Sequence, residues 1–400
     1  MKFLSKIVSV IIGFFLFLIF ITSSGYTEEA RGVTDKTIKI GGIFDLTGPL
    51  VATIRPIVEG IRNYTRYTND NGGLHGRKIK LIIEDDRYTI SAAVAAFKKL
   101  IYRDKIFALI GPGSTGETRA LTHKIMKQKL PTIPYAADKD IIDPYKRYLF
   151  LPLDTYGNQL GIIFDYIVKI SKPNKPKIGV ACADAGVKVS ILKGVKKWSK
   201  FFNLEVKTIM LPTNVLDTTS EILSLKRAKI DYIITVHTIP TAALLLKDNK
   251  RFGLNAKIFG TYSLTSEDII KISGKGAKNF YGVHPYSSWY DDNPGMDKLR
   301  KITLKYHPGT EKPYRGKNYA GGWIGCTLLC EGIKRAGKNL NAETFVNAME
   351  TITKFDTNGI CGLITYTSKS HEGLKYDKVF HANPKTGKLD PITGWIKSPE

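Results

Sequence analysis

Cysteine is scarce. Four in 400 residues (Cys182, Cys326, Cys330 and Cys361) are too few for a small disulfide-stapled scaffold. No histidine or further cysteine stands near the 326/330 pair at zinc-site spacing, so a structural zinc site is excluded there. Those two sulfurs share one face of an expected helix, where adjacent turns hold the Cβ atoms too far apart for an easy bridge. Buried free thiols are the expectation, and a bridge from Cys361 to one of the pair is the alternative the sequence leaves open. Histidine is also sparse, with seven scattered copies, and neither G-x-S-x-G nor H-E-x-x-H occurs. No catalytic constellation and no metal set emerges, so no enzyme is expected. Low-complexity tracts and fixed 20–50-residue repeats are missing, which sets aside disordered and solenoid architectures. Acidic residues are in deficit, 36 against 60 Lys and Arg, for a net charge of +24. The lysines are dispersed rather than blocked together. They fit a solvated surface that attracts anions better than a nucleic-acid interface, and no nucleic-acid partner is expected.

Long apolar runs are absent after the first two dozen residues. Lys2 and Lys6 precede an almost wholly apolar Ile7–Thr22, and Ser23-Ser24-Gly25 offers a small-residue cleavage site. Residues 1–25 therefore read as a signal peptide. An uncleaved membrane anchor is the alternative, although the run is short for a span. The mature chain is expected to be exported.

What is present is organised around residues 106–118. A β-branched apolar run ends at Gly111, then Gly113, Ser114, Thr115 and Gly116 lead into an amphipathic pattern. Strand, small-residue turn and helix start bring backbone N–H groups and hydroxyls to one spot that favours an anion. The glycines also match G-x-G-x-x-G, so a nucleotide-binding exported enzyme is a competing use of the same geometry. Export removes the chain from the nicotinamide pool, and no cofactor is expected.

Strand and helix patterns alternate throughout. Strands are expected at 37–44, 78–84, 106–110 and 131–135, with helices at 55–69 and 90–102 between them. A second series follows, with helices at 158–170, 189–202, 220–229 and 241–252. Its strands fall at 177–182, 205–211, 231–237, 256–260 and 280–283. The tail adds helices at 297–306, 318–336 and 342–352, with strand-like 362–366 and 376–381. The fold class is α/β, and two consecutive series argue for two lobes with parallel sheets and a cleft at the carboxyl ends of their strands. His237 ends a strand at that cleft. Asp85-Asp86 reads as a strand-end turn before it reads as a catalytic acid pair.

Several segments resemble one family. Gly32–Gly41 with Leu46-Thr-Gly-Pro49, Asn69–Lys78, Glu84–Asp86, Ile110–Gly113, and Phe355–Gly359 with Leu363–Tyr366 look like type I periplasmic solute-binding proteins of ABC transporters. The likeness is to the branched-chain amino acid (Leu/Ile/Val) binding group, and it covers almost the whole mature chain. It implies two Rossmann-like lobes, a Venus flytrap, joined by a three-segment hinge. Residues 26–153 and 284–378 would form the N-terminal lobe, and 154–283 and 379–400 the C-terminal lobe. It also implies a periplasmic, monomeric chain that delivers a small amino acid or related carboxylate to an ABC permease in the membrane. A ligand-sensing subunit without transport is the alternative from another class.

Carried onto this sequence, the family's carboxylate-holding hydroxyl falls at Ser114 or Thr115, next to Gly113. Its second hydroxyl falls at Asp138, two residues beyond Ala136. Its ammonium-pairing acid falls near Tyr262, and an aromatic of the second lobe near Thr238. Asp184 is a possible replacement charge. Tyr262, Tyr135 and Tyr286 could wall an aromatic or larger apolar ligand.

Overall fold

The computed structural model describes residues 30–309 and 316–399, and the expected signal segment 1–25 lies outside them. The chain begins β1 (Thr37–Phe44), α1 (Val51–Asp70), β2 (Lys78–Asp85), α2 (Ile90–Lys98), β3 (Ala108–Ile110), α3 (Thr115–Lys127) and β4 (Thr132–Ile133). The second series is α4 (Tyr156–Ser171), β5 (Ile178–Ala183), α5 (Lys188–Phe201), β6 (Val206–Leu211), α6 (Thr219–Arg227), β7 (Tyr232–Val236), α7 (Ile239–Arg251), β8 (Lys257–Gly260), α8 (Asp268–Ser273) and β9 (Phe280–His284). The remainder is α9 (Pro294–Tyr306), α10 (Lys317–Ala336), α11 (Ala342–Met349), β10 (Lys378–Asn383) and β11 (Lys388–Pro391). Among the described residues, no helix is long and apolar enough to cross a membrane.

Two sheets result. One has the order β2-β1-β3-β4 and is parallel throughout. The other runs β11-β10-β9-β8-β7-β5-β6, parallel from β6 to β9 and antiparallel through β10 and β11. Central strands are wholly apolar and buried, as β5 (Ile-Gly-Val-Ala-Cys-Ala) and β7 (Tyr-Ile-Ile-Thr-Val) illustrate. That is what helices on both faces of a parallel sheet require. The core around the seven-stranded sheet gathers Ile222, Leu225, Ile233, Leu245, Leu246, Ile258 and Phe280 from helices and strands alike.

The backbone passes between the sheets three times. It leaves the small sheet after β4, builds β5–β9, returns as α9–α11, and rejoins the large sheet at β10. On its return, α10 crosses α1 with almost no side chain between them. A Cβ on Gly322 would lie 1.9 Å from the Ile57 carbonyl oxygen, and one on Gly60 would lie 2.2 Å from that of Tyr319. Asn63 donates to the Tyr319 hydroxyl at 3.1 Å, which also bonds Thr303 on α9 at 2.7 Å.

Some local expectations change. Helix α1 begins one turn earlier than residue 55 and carries Pro56 inside it. The expected helix 90–102 ends as α-helix at Lys98 and continues as a π-helical turn, Lys99–Arg103. The expected strand 131–135 shrinks to two residues between Pro131 and Pro134, neither of which has an N–H for a ladder. Residues 362–366 form no strand, because their partners change at each step. Ile364 pairs with Phe355, the Thr365 N–H goes to Gly373, and the Tyr366 N–H goes to Ile352. The four cysteines are free and buried. Cys326 and Cys330 face Thr65 and Thr68 on α1, and Cys361 sits 3.3 Å from the Thr357 hydroxyl, so the alternative bridge from Cys361 is not made.

Candidate ligand-binding cleft

The sheets point their carboxyl ends at one another, and the helices that follow those strands start at the gap. Helix α3 opens there after β3. Ser114 is its N-cap, with its hydroxyl accepting from the Glu117 N–H at 3.4 Å. Thr115 and Gly116, the first residues of that helix, have N–H groups with no intrahelical acceptor. From the C-terminal lobe, α7 starts at the N-cap Thr238 and α5 at the N-cap Val187. Helix α4 starts at Tyr156 beside them.

These starts enclose a cavity of ≈ 60 Å³. Gly113, Ser114 and Thr115 line it from the N-terminal lobe, with Leu50, Thr53 and Ile54 from the start of α1. Val187, Thr213, His237, Thr238 and Ser263 line it from the C-terminal lobe. Four tyrosines, Tyr88, Tyr135, Tyr156 and Tyr262, are also part of the wall. Among the described lining residues there is no Asp, Glu, Lys or Arg. His237 brings no charge, because burial holds its pKa below the ordinary value. Its Nε2 donates to the Pro212 carbonyl at 2.9 Å, and its Nδ1 accepts from the Thr238 N–H at 2.8 Å. The Tyr262 hydroxyl donates to the Tyr135 carbonyl at 3.4 Å and accepts from Tyr156.

Beneath Ser114 lies a buried acidic pair. The Ser114 hydroxyl donates to one oxygen of Glu117, while the other oxygen of that carboxyl and Asp86 Oδ2 are both buried with no donor among the described residues. Asp86 is fully buried and Glu117 nearly so. Burial first, and then the neighbouring charge of Asp86, push Glu117 up to about 8. One shared proton is what two carboxyls this close require. Asp45, Asp85 and Asp86 approach one another at the same edge. The turn expected at 85–86 is real: Asp85 accepts from the Leu46 and Arg87 N–H groups, and Asp45 from that of Leu50.

Of the sequence-derived site residues, the cavity brings together Gly113, Ser114, Thr115, Thr238 and Tyr262, along with Tyr135 and His237. Three others lie elsewhere. Ala136 is buried away from the lining. Asp138 caps a short 3₁₀ turn and forms an ion pair with Arg119 at 2.5 Å, so its carboxylate serves a cation of its own chain. Asp184 is exposed and pairs with Lys188 at 2.8 Å, one turn along α5. Tyr286 is not a wall residue. It packs against Gly321 and donates to the Pro152 carbonyl at 2.8 Å, within the N-terminal lobe. Sequence reasoning missed Tyr88 and Tyr156, whose only signal is position: one just beyond a strand end, the other at a helix start.

The lobes are drawn together around this cavity. Arg119 on α3 donates across the gap to the Gly186 carbonyl at 2.9 Å and the Ser190 hydroxyl at 2.8 Å. Lys193 pairs with Asp140, and Thr53 donates to the Ser263 carbonyl at 3.1 Å. Gly116 and Gly186 meet backbone to backbone, so that a Cβ on Gly186 would stand 2.7 Å from the Gly116 Cα. The G-x-G-x-x-G glycines are therefore used for lobe contact at Gly116 and for close approach to the Ile43 carbonyl at Gly111. No room remains beside them for a dinucleotide pyrophosphate.

Comparison with known proteins supplies the family context. The model described as "Periplasmic binding protein" matches residues 37–383. A leucine-, isoleucine-, valine-, threonine- and alanine-binding protein of Pseudomonas aeruginosa is 22% identical over 318 residues, 76% of this chain and 79% of that protein. A branched-chain amino acid ABC transporter protein of Thermus thermophilus, solved with bound valine, superposes with a TM-score of 0.84 at 22% identity, covering 92% of this chain and 98% of that one. A fatty acid ABC transporter substrate-binding protein of Thermomonospora curvata gives 0.82 at 22% identity, covering 93% and 95%.

Proposed function

Because the chain belongs to the periplasmic binding protein family, whose named relatives here are solute-binding components rather than enzymes, we propose that it is the extracytoplasmic binding subunit of an ABC importer. Its solute is a small carboxylate, of the size of an amino acid or related acid, which it carries to a membrane permease. The observation that supports this most is the closed cavity at the start of α3. There Thr115 and the N-terminal end of α3 with its helix dipole meet a space lined in part by tyrosines and free of charged side chains. Residues 26–153 with 284–378, and 154–283 with 379–400, are the proposed lobes, and the segment 1–25 the export signal. Closure then follows from the solute's higher affinity for the closed state, in which both lobes touch it.

A thermal-shift screen of the refolded chain against amino acids, aromatic acids, short aliphatic acids and nucleotides tests the reading. A carboxylate should raise the unfolding midpoint by an amount that grows with its excess over Kd. Thr115→Val, which keeps the shape and removes the hydroxyl, should weaken that binding about tenfold, or ~1.4 kcal/mol. A response to nucleotides alone would reject the proposal.

A further inference from the structure

The cavity has a pole for an anion and no pole for a cation. An amino acid carries both charges, and sealing it between the lobes removes water from its ammonium as well as from its carboxylate. The ammonium then needs a carboxylate or several free oxygen acceptors. No acid is among the residues that line the cavity, and the candidates named from the sequence have partners of their own. Asp138 pairs with Arg119, and Asp184 points outward to Lys188. Glu117 takes the Ser114 hydroxyl on one oxygen, and burial beside Asp86 pushes its carboxyl up to about 8. That raised value keeps Glu117 neutral at neutral pH.

The uncharged acceptors are also largely taken. The Tyr135 carbonyl receives the Tyr262 hydroxyl, and the Ser263 carbonyl receives Thr53. Tyrosine faces remain, but a ring returns only a fraction of an ammonium's lost hydration. A carboxylate has no such difficulty, since Thr115 and the N-terminal end of α3 line the cavity. The rest of the wall, with Ile54, Val187 and the tyrosine rings, suits hydrocarbon.

Resting on the carboxylate reading above, we infer that the solute is a small monocarboxylic acid without an α-amino group. Its size follows from the closed volume. A space of ≈ 60 Å³ corresponds to roughly four to six waters, or on the order of six to nine non-hydrogen atoms of ligand. Short branched aliphatic acids and single-ring aromatic acids meet both conditions.

Isothermal titration of the full chain, stripped of carried-over solute by unfolding and refolding, decides it. The probes are matched pairs that differ only in the amino group and fit the size: valine and 3-methylbutanoate, leucine and 4-methylpentanoate. The deaminated member should bind at least a hundredfold more tightly in at least one pair. Equal or tighter binding of the amino acid in every pair that binds overturns this inference and leaves the carboxylate reading standing. Silence across all pairs, or an uncharged amide binding as well as its acid, overturns the carboxylate reading and this inference with it. Thr238→Asp supplies a second arm. Both residues serve as N-caps, so α7 should be kept. The new carboxylate at the wall should shift the acid-to-amino-acid preference at least tenfold toward the amino acid. A folded variant with an unchanged ratio would overturn the inference independently.

Discussion

Glu117 controls more than its own neighbourhood. It sits at the third position of α3, directly behind the hydroxyl that caps the helix, and its carboxyl is held neutral by burial and by Asp86. When pH rises through about 8, a negative charge appears beneath the anion pole. Binding of a carboxylate solute should then weaken by about tenfold, ~1.4 kcal/mol, between pH 7 and pH 9. Glu117→Gln keeps an acceptor for Ser114 and offers Asp86 a donor, so its Kd should be flat over that range. Titration at several pH values checks both. The same group affects stability with a definite sign. Its folded value lies above the ordinary 4.5, so the unfolded carboxyl loses its proton first as pH rises. Stability falls from about 4.5 up to about 8 through this group and is level on either side. Denaturant midpoints for the wild type and Glu117→Gln should show the slope in one and lose it in the other.

At the scale of elements, the N-terminal lobe depends on how closely α1 and α10 cross. A methyl group at Gly322 would meet the backbone of Ile57 at 1.9 Å, and neither helix can yield without shifting its neighbours. Gly322→Ala should therefore destabilise the protein by about 2–3 kcal/mol in urea unfolding. Gly316→Ala, at the N-cap of the same helix, meets nothing closer than 4.0 Å and should change stability by only about 0.5 kcal/mol. The amphipathic patterns marked both helices, but glycines inside α10 look unfavourable by propensity. Only the crossing explains them. In the same way, the apolar character of 362–366 suggested a strand, and three different hydrogen-bond partners replaced the ladder. Periodicity registers which face is buried, and it does not register what the backbone bonds to.

For the whole molecule, the decisive contact is between the lobes. Gly186 touches Gly116 only while the cleft is shut, and a Cβ there would stand 2.7 Å from a backbone atom of the other lobe. Gly186→Ala should leave the unfolding temperature of the solute-free chain unchanged and weaken solute binding at least tenfold, because it acts on closure alone. Small-angle scattering with saturating solute should show a larger radius of gyration than the wild type. An unchanged radius and affinity would remove the glycine contact from the account of closure. Arg119 belongs to the same device. It joins Asp138 on its own lobe to Gly186 and Ser190 on the other, which converts an acid that looked like a ligand contact into a support for the shut form.

The alternation of strand and helix patterns, the small-residue turn at 111–116 and the poverty of catalytic residues determined the α/β class, the two lobes and the anion-favouring spot on α3. These are local properties, carried by hydrophobic period and by residues that prefer turns and caps. Tertiary structure alone decided which polar groups remain open. Asp138 and Asp184 found cations within the chain, Tyr286 turned into its own lobe toward Pro152, and Tyr88 and Tyr156 arrived at the cavity from distant strand and helix ends. A charge in a sequence is available to a ligand only if no other part of the chain reaches it first. That competition depends on distances between segments far apart in sequence, which spacing along the chain does not contain.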